Sequence, residues 1–292
     1  MLNLIVAPYD INSNAENYTK RIVKYLKQEK VEYSVYFSPT LNDIDKNVEE
    51  LQSIGETEFV VIGDDLVLSQ FINAVKDLSK IKLGVVPTSK HDDFASTIGL
   101  SHKPIQAIKD ILTRHIETVD YLKVNNQKVL GSIVIGASTE IFEVYNGYKL
   151  KNILTKKVAT MRYANKFEGI ELGFQTSKNG KVKTAQVYEL CIANIGLSKG
   201  RKINPLSNVK DGLFNFNYVI LPEKEKRRKY LSLFKKGNQI YDENTKQQWL
   251  SEIKITNPDK RIKALVDGKI LNYEEININA IEKGLKLYAT IK

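Results

Sequence analysis

Two stretches carry the residue types from which phosphate chemistry is built. Residues 58–75 read EFVVIGDDLVLSQFINAV, and residues 83–100 read LGVVPTSKHDDFASTIGL. In each, an apolar, β-branched run stops at a polar turn and restarts with helical spacing. That is the strand–turn–helix order in which open α/β sheets hold anionic ligands at the carboxyl ends of their strands. The turns offer Gly63, Asp64 and Asp65 in the first stretch, and Lys90, Asp92 and Asp93 in the second. Backbone N–H groups of a glycine-rich turn cradle phosphate oxygens, and carboxylates are the hard oxygen ligands that Mg²⁺ prefers. The first turn nevertheless has one glycine where a phosphate cradle usually has several, so the fold reads as intact and the chemistry as altered.

The elements that must position these turns follow from periodicity. LNLIVA (2–7), VEYSVYF (31–37), FVVIG (59–63) and KLGVVP (82–87) read as strands. Between them, residues 14–30, 41–54, 66–79 and 104–114 have helical spacing. This rhythm predicts a doubly wound, mostly parallel sheet over residues 1–118. From 119 to 292 the pattern changes to a mostly antiparallel β domain. One hairpin is expected at Asn125-Asn126 and another at Asn179-Gly180, with a single helical stretch over roughly 138–165. The fold class is therefore α/β, with a mostly antiparallel β domain at the C-terminus whose last segment is free to pack back on the first domain.

Composition narrows the classes. The 292 residues are 42% hydrophobic and 27% charged, an ordinary globular balance. No apolar run approaches the roughly 20 residues of a membrane-spanning helix, and MLNLIVAPYD reads as a first strand, not a leader. A cytoplasmic location is expected. Cys191 is the only cysteine and lies in an apolar strand, so it reads as a core thiol. The net charge of +10 is spread along the chain with no nucleic-acid module, which argues against a nucleic-acid partner and allows peripheral contact with an anionic membrane. PEKEKRRKYLSLFKKG (222–237) is the basic helical segment that could lie on lipid, or pack its apolar residues on the core. Exposed sheet edges allow a homodimer.

The P-loop, the dinucleotide fingerprint and the H-E-x-x-H metal motif are all missing. His91, His102 and His115 have no second ligand at metal spacing, and the last two read as exposed helix-end residues. What is present resembles the diacylglycerol kinase and sphingosine kinase superfamily, the bacterial lipid kinases in particular. The family carries GGDGT followed by a helix of the type LNEVINAV; here Gly63, Asp65, Leu68 and Ile72 to Val75 match. A second motif, LGIIPLGTGNDFARTLGI, is matched by Leu83-Gly84, Pro87, Asp93-Phe94-Ala95, Thr97 and Gly99. Asn194, Gly200, Pro205, Asp211 and Gly212 follow a third run, and Val266-Asp267-Gly268-Lys269 looks like the family's D-G-E.

The resemblance implies an N-terminal α/β nucleotide domain and a C-terminal antiparallel β-sandwich, with ATP- and Mg²⁺-dependent phosphorylation of a lipid hydroxyl in the cleft between them. It places the general base at Asp267 and nucleotide phosphates near Gly63, Asp64, Asp65, Lys90, Asp93 and Lys269. It places metal near Asp65 and a structural magnesium at Asp211, although Asn215 stands where a second family aspartate would. The departures cluster on the phosphate side: Asp64 and Leu66 replace glycines, Val67 a threonine, Gln70 a glutamate, Asp92 an asparagine and Lys269 a glutamate. Asp267-Gly268 also reads as a plain hairpin turn. Two functions follow: a lipid kinase of altered activity, or a family member that binds a lipid, nucleotide or protein without efficient transfer.

Overall fold

Strands β1 (Leu2–Val6), β2 (Tyr33–Phe37), β3 (Glu58–Gly63) and β4 (Lys82–Pro87) are the apolar runs of the N-terminal region. The computed structural model describes residues 1–8, 14–89, 92–150, 152–177, 180–198, 201–258 and 261–289. Helices α1 (Ala15–Gln28), α2 (Leu41–Ser53), α3 (Asp65–Ala74), α4 (Asp93–Thr97) and α5 (Pro104–Leu112) alternate with these strands. Strand β5 (Ile116–Val124) follows.

The C-terminal region begins with β6 (Gln127–Val129), β7 (Ser132–Gly136), α6 (Ala137–Asn146) and α7 (Ile153–Tyr163). It continues through β8 (Ile170–Gln175), β9 (Lys183–Ala193), β10 (Leu197–Ser198), β11 (Arg201–Lys202) and β12 (Phe214–Ile220). Helix α8 (Lys224–Lys236) precedes β13 (Thr245–Leu250), β14 (Glu252–Thr256), β15 (Ile262–Val266), β16 (Lys269–Tyr273) and β17 (Glu275–Tyr288).

The chain forms two compact units. The first comprises Met1–Tyr121, Val209–Asp211 and Ile281–Lys292; the second comprises Leu122–Asn208 and Gly212–Ala280. In the first, the strand order is β2-β1-β3-β4 with the C-terminal part of β17 beside β4, and each of these four pairings is parallel. Parallel strands need crossover connections, which the helices supply. Side chains alternate along β3. Val60 and Ile62 share a core with Ile22 and Leu26 of α1 and Ile108 and Ile111 of α5. Phe59 points the other way and meets Phe71 of α3 at 5.4 Å between ring centroids. Helices therefore cover both sheet faces, as a doubly wound sheet requires.

The second unit is antiparallel. β15 pairs β16 and β7, β9 pairs β7, β8 and β12, and β14 joins β8 to the first part of β17. Its core is aliphatic and aromatic, with Leu122, Ile133, Leu190, Ile192, Phe214, Phe216 and Ile255 at its centre.

The hairpin at Asn125-Asn126 forms, with Asn125 left-handed at φ 50°. β8 and β9 also pair antiparallel, but Asn179 of their expected turn lies outside the described residues. The helical stretch expected over 138–165 is broken into α6 and α7. Gly147 closes α6, and Asn152 opens α7 with a capping box: Asn152 Oδ1 accepts from Thr155 N at 2.9 Å, and Thr155 Oγ1 accepts from Asn152 N at 3.0 Å. Two satisfied terminal N–H groups favour a fresh start over a continuous helix. Cys191 is buried, and burial foremost pushes its thiol up to about 12, so it is an inert core residue. Among the described residues, no helix is long and apolar enough to cross a membrane.

Candidate functional site

β3 passes into α3 with no loop between them. Gly63 closes the strand, Asp64 caps the helix and Asp65 is its first residue. None of residues 63–67 has a positive φ; Asp64 is extended at φ −89°, ψ −177°. Gly63 is required for a different reason than backbone freedom. A Cβ there would sit 2.5 and 2.6 Å from the side chain of Val67, the residue at the motif's threonine position. Gly63→Ala is therefore expected to cost about 1–3 kcal/mol of stability through overpacking against a β-branched neighbour, measurable by denaturant unfolding.

Asp64 decides the electrostatics of this turn. Its Oδ1 accepts from the backbone N–H of both Leu66 and Val67, at 3.1 Å each. These are the orphan donors of a helix N-terminus, the groups that bind phosphate in nucleotide folds. A carboxylate of the protein's own already holds them. An incoming phosphate would displace it or face it, and like charges 4 Å apart cost about 4 kcal/mol at an effective dielectric of 20.

Asp65 reaches across to α4. Its Oδ2 accepts from Asp93 N at 2.6 Å and its Oδ1 from Phe94 N at 3.4 Å. Burial foremost, with the charges of Asp92 and Asp93, raises its carboxyl to about 8 against those backbone donors. Asp92 is only 3% exposed and accepts from Ser89 N at 2.9 Å. Burial, and then the charge of Asp64, raises it to about 7. The first unit thus brings Asp64, Asp65, Asp92 and Asp93 together at the ends of β3 and β4. Lys90 and His91 lie outside the described residues. His102 is half-buried, not an exposed helix end. Its ring nitrogens stand 3.0 Å from Ser89 O and 3.0 Å from Ser96 Oγ, bracing the start of that loop against α4.

These residues do not fit Mg²⁺. Both oxygens of Asp65 are committed to backbone donors. Among the described residues, no three His, Cys, Asp or Glu side chains are grouped to hold a metal ion. Asp211 is exposed in the short Val209–Asp211 stretch of the first unit. Gln70 is explained by its neighbour: its Nε2 donates to both carboxylate oxygens of Asp45 on α2, at 2.7 and 3.0 Å, where a glutamate would repel.

In the second unit, Asp267 and Gly268 form the two-residue turn between β15 and β16, with φ of 42° and 82°. Two left-handed residues are what a tight hairpin demands. The turn also aims the Asp267 carboxylate inward. Oδ2 accepts from Leu130 N at 3.1 Å, and Oδ1 accepts from Gly131 N and Ser132 N, both at 3.0 Å. The backbone N–H of Asp267 returns a bond to Ser132 O at 3.1 Å. A side chain at Gly131 would collide with this carboxylate, so glycine is needed there. Beneath it, Asn194, fully buried, donates from Nδ2 to Leu130 O at 3.0 Å. Burial raises Asp267 to about 6, opposed first by the three backbone donors and last by Lys269. Lys269 begins β16 beyond the turn.

Composition and motif reading missed the partners of Asp267, because backbone donors have no residue signature. Gly131 was the one visible trace. A hollow of about 350 Å³ in the second unit is lined by Gln175, Ser177, Glu252, Lys254 and Asn277 among others, and by none of the site residues named from sequence.

A mostly parallel sheet with a strand–turn–helix at its carboxyl edge is the frame of a doubly wound α/β domain, in which ligands bind at that edge. Residues 2–124 match the family model of the diacylglycerol kinase catalytic domain. A protein of Alcanivorax borkumensis named "Probable lipid kinase YegS-like" is 25% identical over 265 residues, covering 84% of this chain and 83% of that one. The crystal structure of a diacylglycerol kinase from Bacillus anthracis superposes with a TM-score of 0.72 at 17% identity, over 99% of this chain and 96% of the other. Yeast NADH kinase complexed with NADH shares the fold more distantly, with a TM-score of 0.51 at 10% identity, over 100% of this chain and 83% of the other. The chain is thus similar to diacylglycerol kinases over residues 2–124 and to lipid kinases along most of its length.

Proposed function

We propose that this protein is a lipid-directed member of the superfamily that engages a lipid alcohol without efficient phosphoryl transfer from ATP. The observation that carries it is the Asp64 carboxylate bonded to the N–H groups of Leu66 and Val67. Phosphoryl transfer depends on positioning and on neutralising phosphate charge. Here the donors that would do so are held by an anion, and Asp92 and Asp65 crowd the same place. The lipid specificity is carried over from the family and is separate from that turn.

One observation favours a second reading, a working lipid kinase that uses ATP and Mg²⁺. Asp267, at the family's base position, sits near 6, a value suited to taking a hydroxyl proton at neutral pH. A mixed-micelle assay with radiolabelled ATP and dioleoylglycerol separates the two. The proposal expects no labelled lipid above background. Labelled lipid that disappears in a folded Asp267→Asn variant would establish the kinase instead.

A further inference from the structure

We propose that the outer face of α7, with Leu150 ahead of it, is a docking surface for an anionic lipid bilayer. Ile153 is 78% exposed, Leu154 69% and Met161 59%, and Leu150 and Val158 are exposed beside them. At 100° per residue, Ile153, Leu154, Val158 and Met161 fall on one side of the helix. On the opposite side Ala159, fully buried, faces the core together with Tyr163. The apolar stripe is therefore a face turned outward, not a frayed end.

The helix is fixed from behind. Tyr188 Oη donates to Ala164 O at 2.9 Å, and Arg227 of α8 donates to Asn165 O at 2.8 Å and Phe167 O at 3.0 Å. Arg227 itself is 3% exposed. These bonds hold the end of α7 against the core of the second unit while its front stays bare.

Charge selects the occupant. No acidic residue occurs between Glu143 and Glu168, and Lys149, Lys156, Lys157, Arg162 and Lys166 border the stripe. Apolar side chains that enter the acyl boundary beside lysines that meet anionic headgroups are the pattern of an interfacial helix. A protein partner would need acidic and apolar surface in the same places; an anionic bilayer offers both without further assumption.

Sequence left α8 two readings, lying on lipid or packing its apolar residues on the core, and the structure gives the second. Tyr230, Leu231 and Phe234 are buried in the core that α7 covers. α8 keeps basic residues without an outward apolar face, which makes it the natural control.

Vesicle pelleting tests the docking without ATP or acceptor, so its result is independent of whether the protein is a kinase. The full chain is expected to pellet with vesicles containing phosphatidylglycerol and not with phosphatidylcholine alone. Lys156→Gln with Lys157→Gln should weaken binding roughly thirtyfold, and Ile153→Ser with Leu154→Ser roughly tenfold or more. Lys235→Gln with Lys236→Gln, the same charge change on α8, should have under a threefold effect by about the same scale. All these side chains are exposed, so melting temperatures should not move. Absence of wild-type binding, equal losses from the α8 control, or burial of α7 in a stable dimer by sedimentation would each overturn the proposal.

Discussion

Asp267→Ala is expected to destabilise the second unit by about 3–5 kcal/mol, with Asp267→Asn costing about 1–2 kcal/mol. The alanine removes the acceptor of three backbone N–H groups at once, those of Leu130, Gly131 and Ser132. Each buried donor left unpaired costs about 1–3 kcal/mol, less than additively because water reaches part of the turn. Alanine also tolerates the left-handed backbone at this position less well than aspartate or asparagine. Asparagine retains one acceptor oxygen and suits φ > 0, so it gives up the charge and part of the network. Trp249, the single tryptophan, lies on β13 of the second unit and reports its unfolding in urea by fluorescence. Equal stability of wild type and Asp267→Ala would show that the three bonds hold nothing together. The same structural role matters for any assay of activity: only a variant shown to be folded speaks to Asp267 as a base.

Asp92→Asn is expected to stabilise the first unit by about 1–3 kcal/mol at pH 8, with the gain shrinking toward pH 4. Asp92 is buried, and its carboxyl is raised from 3.8 to about 7 by burial and by the charge of Asp64. A carboxyl raised in the folded state favours folding in its protonated form. Its contribution is fully present below the unfolded pKa near 4 and is lost as pH rises through about 7. Asp65, raised to about 8, acts in the same direction over a wider span. Wild-type melting temperature should therefore fall between pH 5 and pH 8 more steeply than that of Asp92→Asn. Asparagine keeps the oxygen that accepts from Ser89 N and carries no charge to bury. Parallel melting curves for the two proteins across this range would show that Asp92 is not held near neutrality.

The α/β alternation was legible because each strand is a short apolar run and each helix has a clear stripe. Ala15, Thr19, Ile22 and Leu26 on α1 show it, spaced as one buried face. The α6–α7 break was not legible, since apolar periodicity runs through it and only the Asn152 and Thr155 pair marks the restart. Asp64 illustrates a different difficulty. An aspartate before an apolar helix is an ordinary N-cap, but set against a glycine-rich family motif it reads first as a lost glycine. Of the two readings of Asp267, the hairpin turn forms, and its carboxylate accepts from donors that come from residues far away in sequence. Of the two readings open for α8, packing on the core is the one that forms. α8 is the more basic and the more conspicuous segment, yet which face of a helix the rest of the chain covers is decided by packing that periodicity does not report.

The most direct test of the occupied helix N-terminus is calorimetric titration with ATP, with and without Mg²⁺, of the wild type and of Asp64→Gly combined with Leu66→Gly and Lys269→Glu. The account predicts no wild-type binding below the millimolar range and measurable binding once the carboxylate at position 64 is gone. Micromolar, Mg²⁺-dependent binding by the wild type would contradict it, because the turn would then cradle phosphate with Asp64 in place.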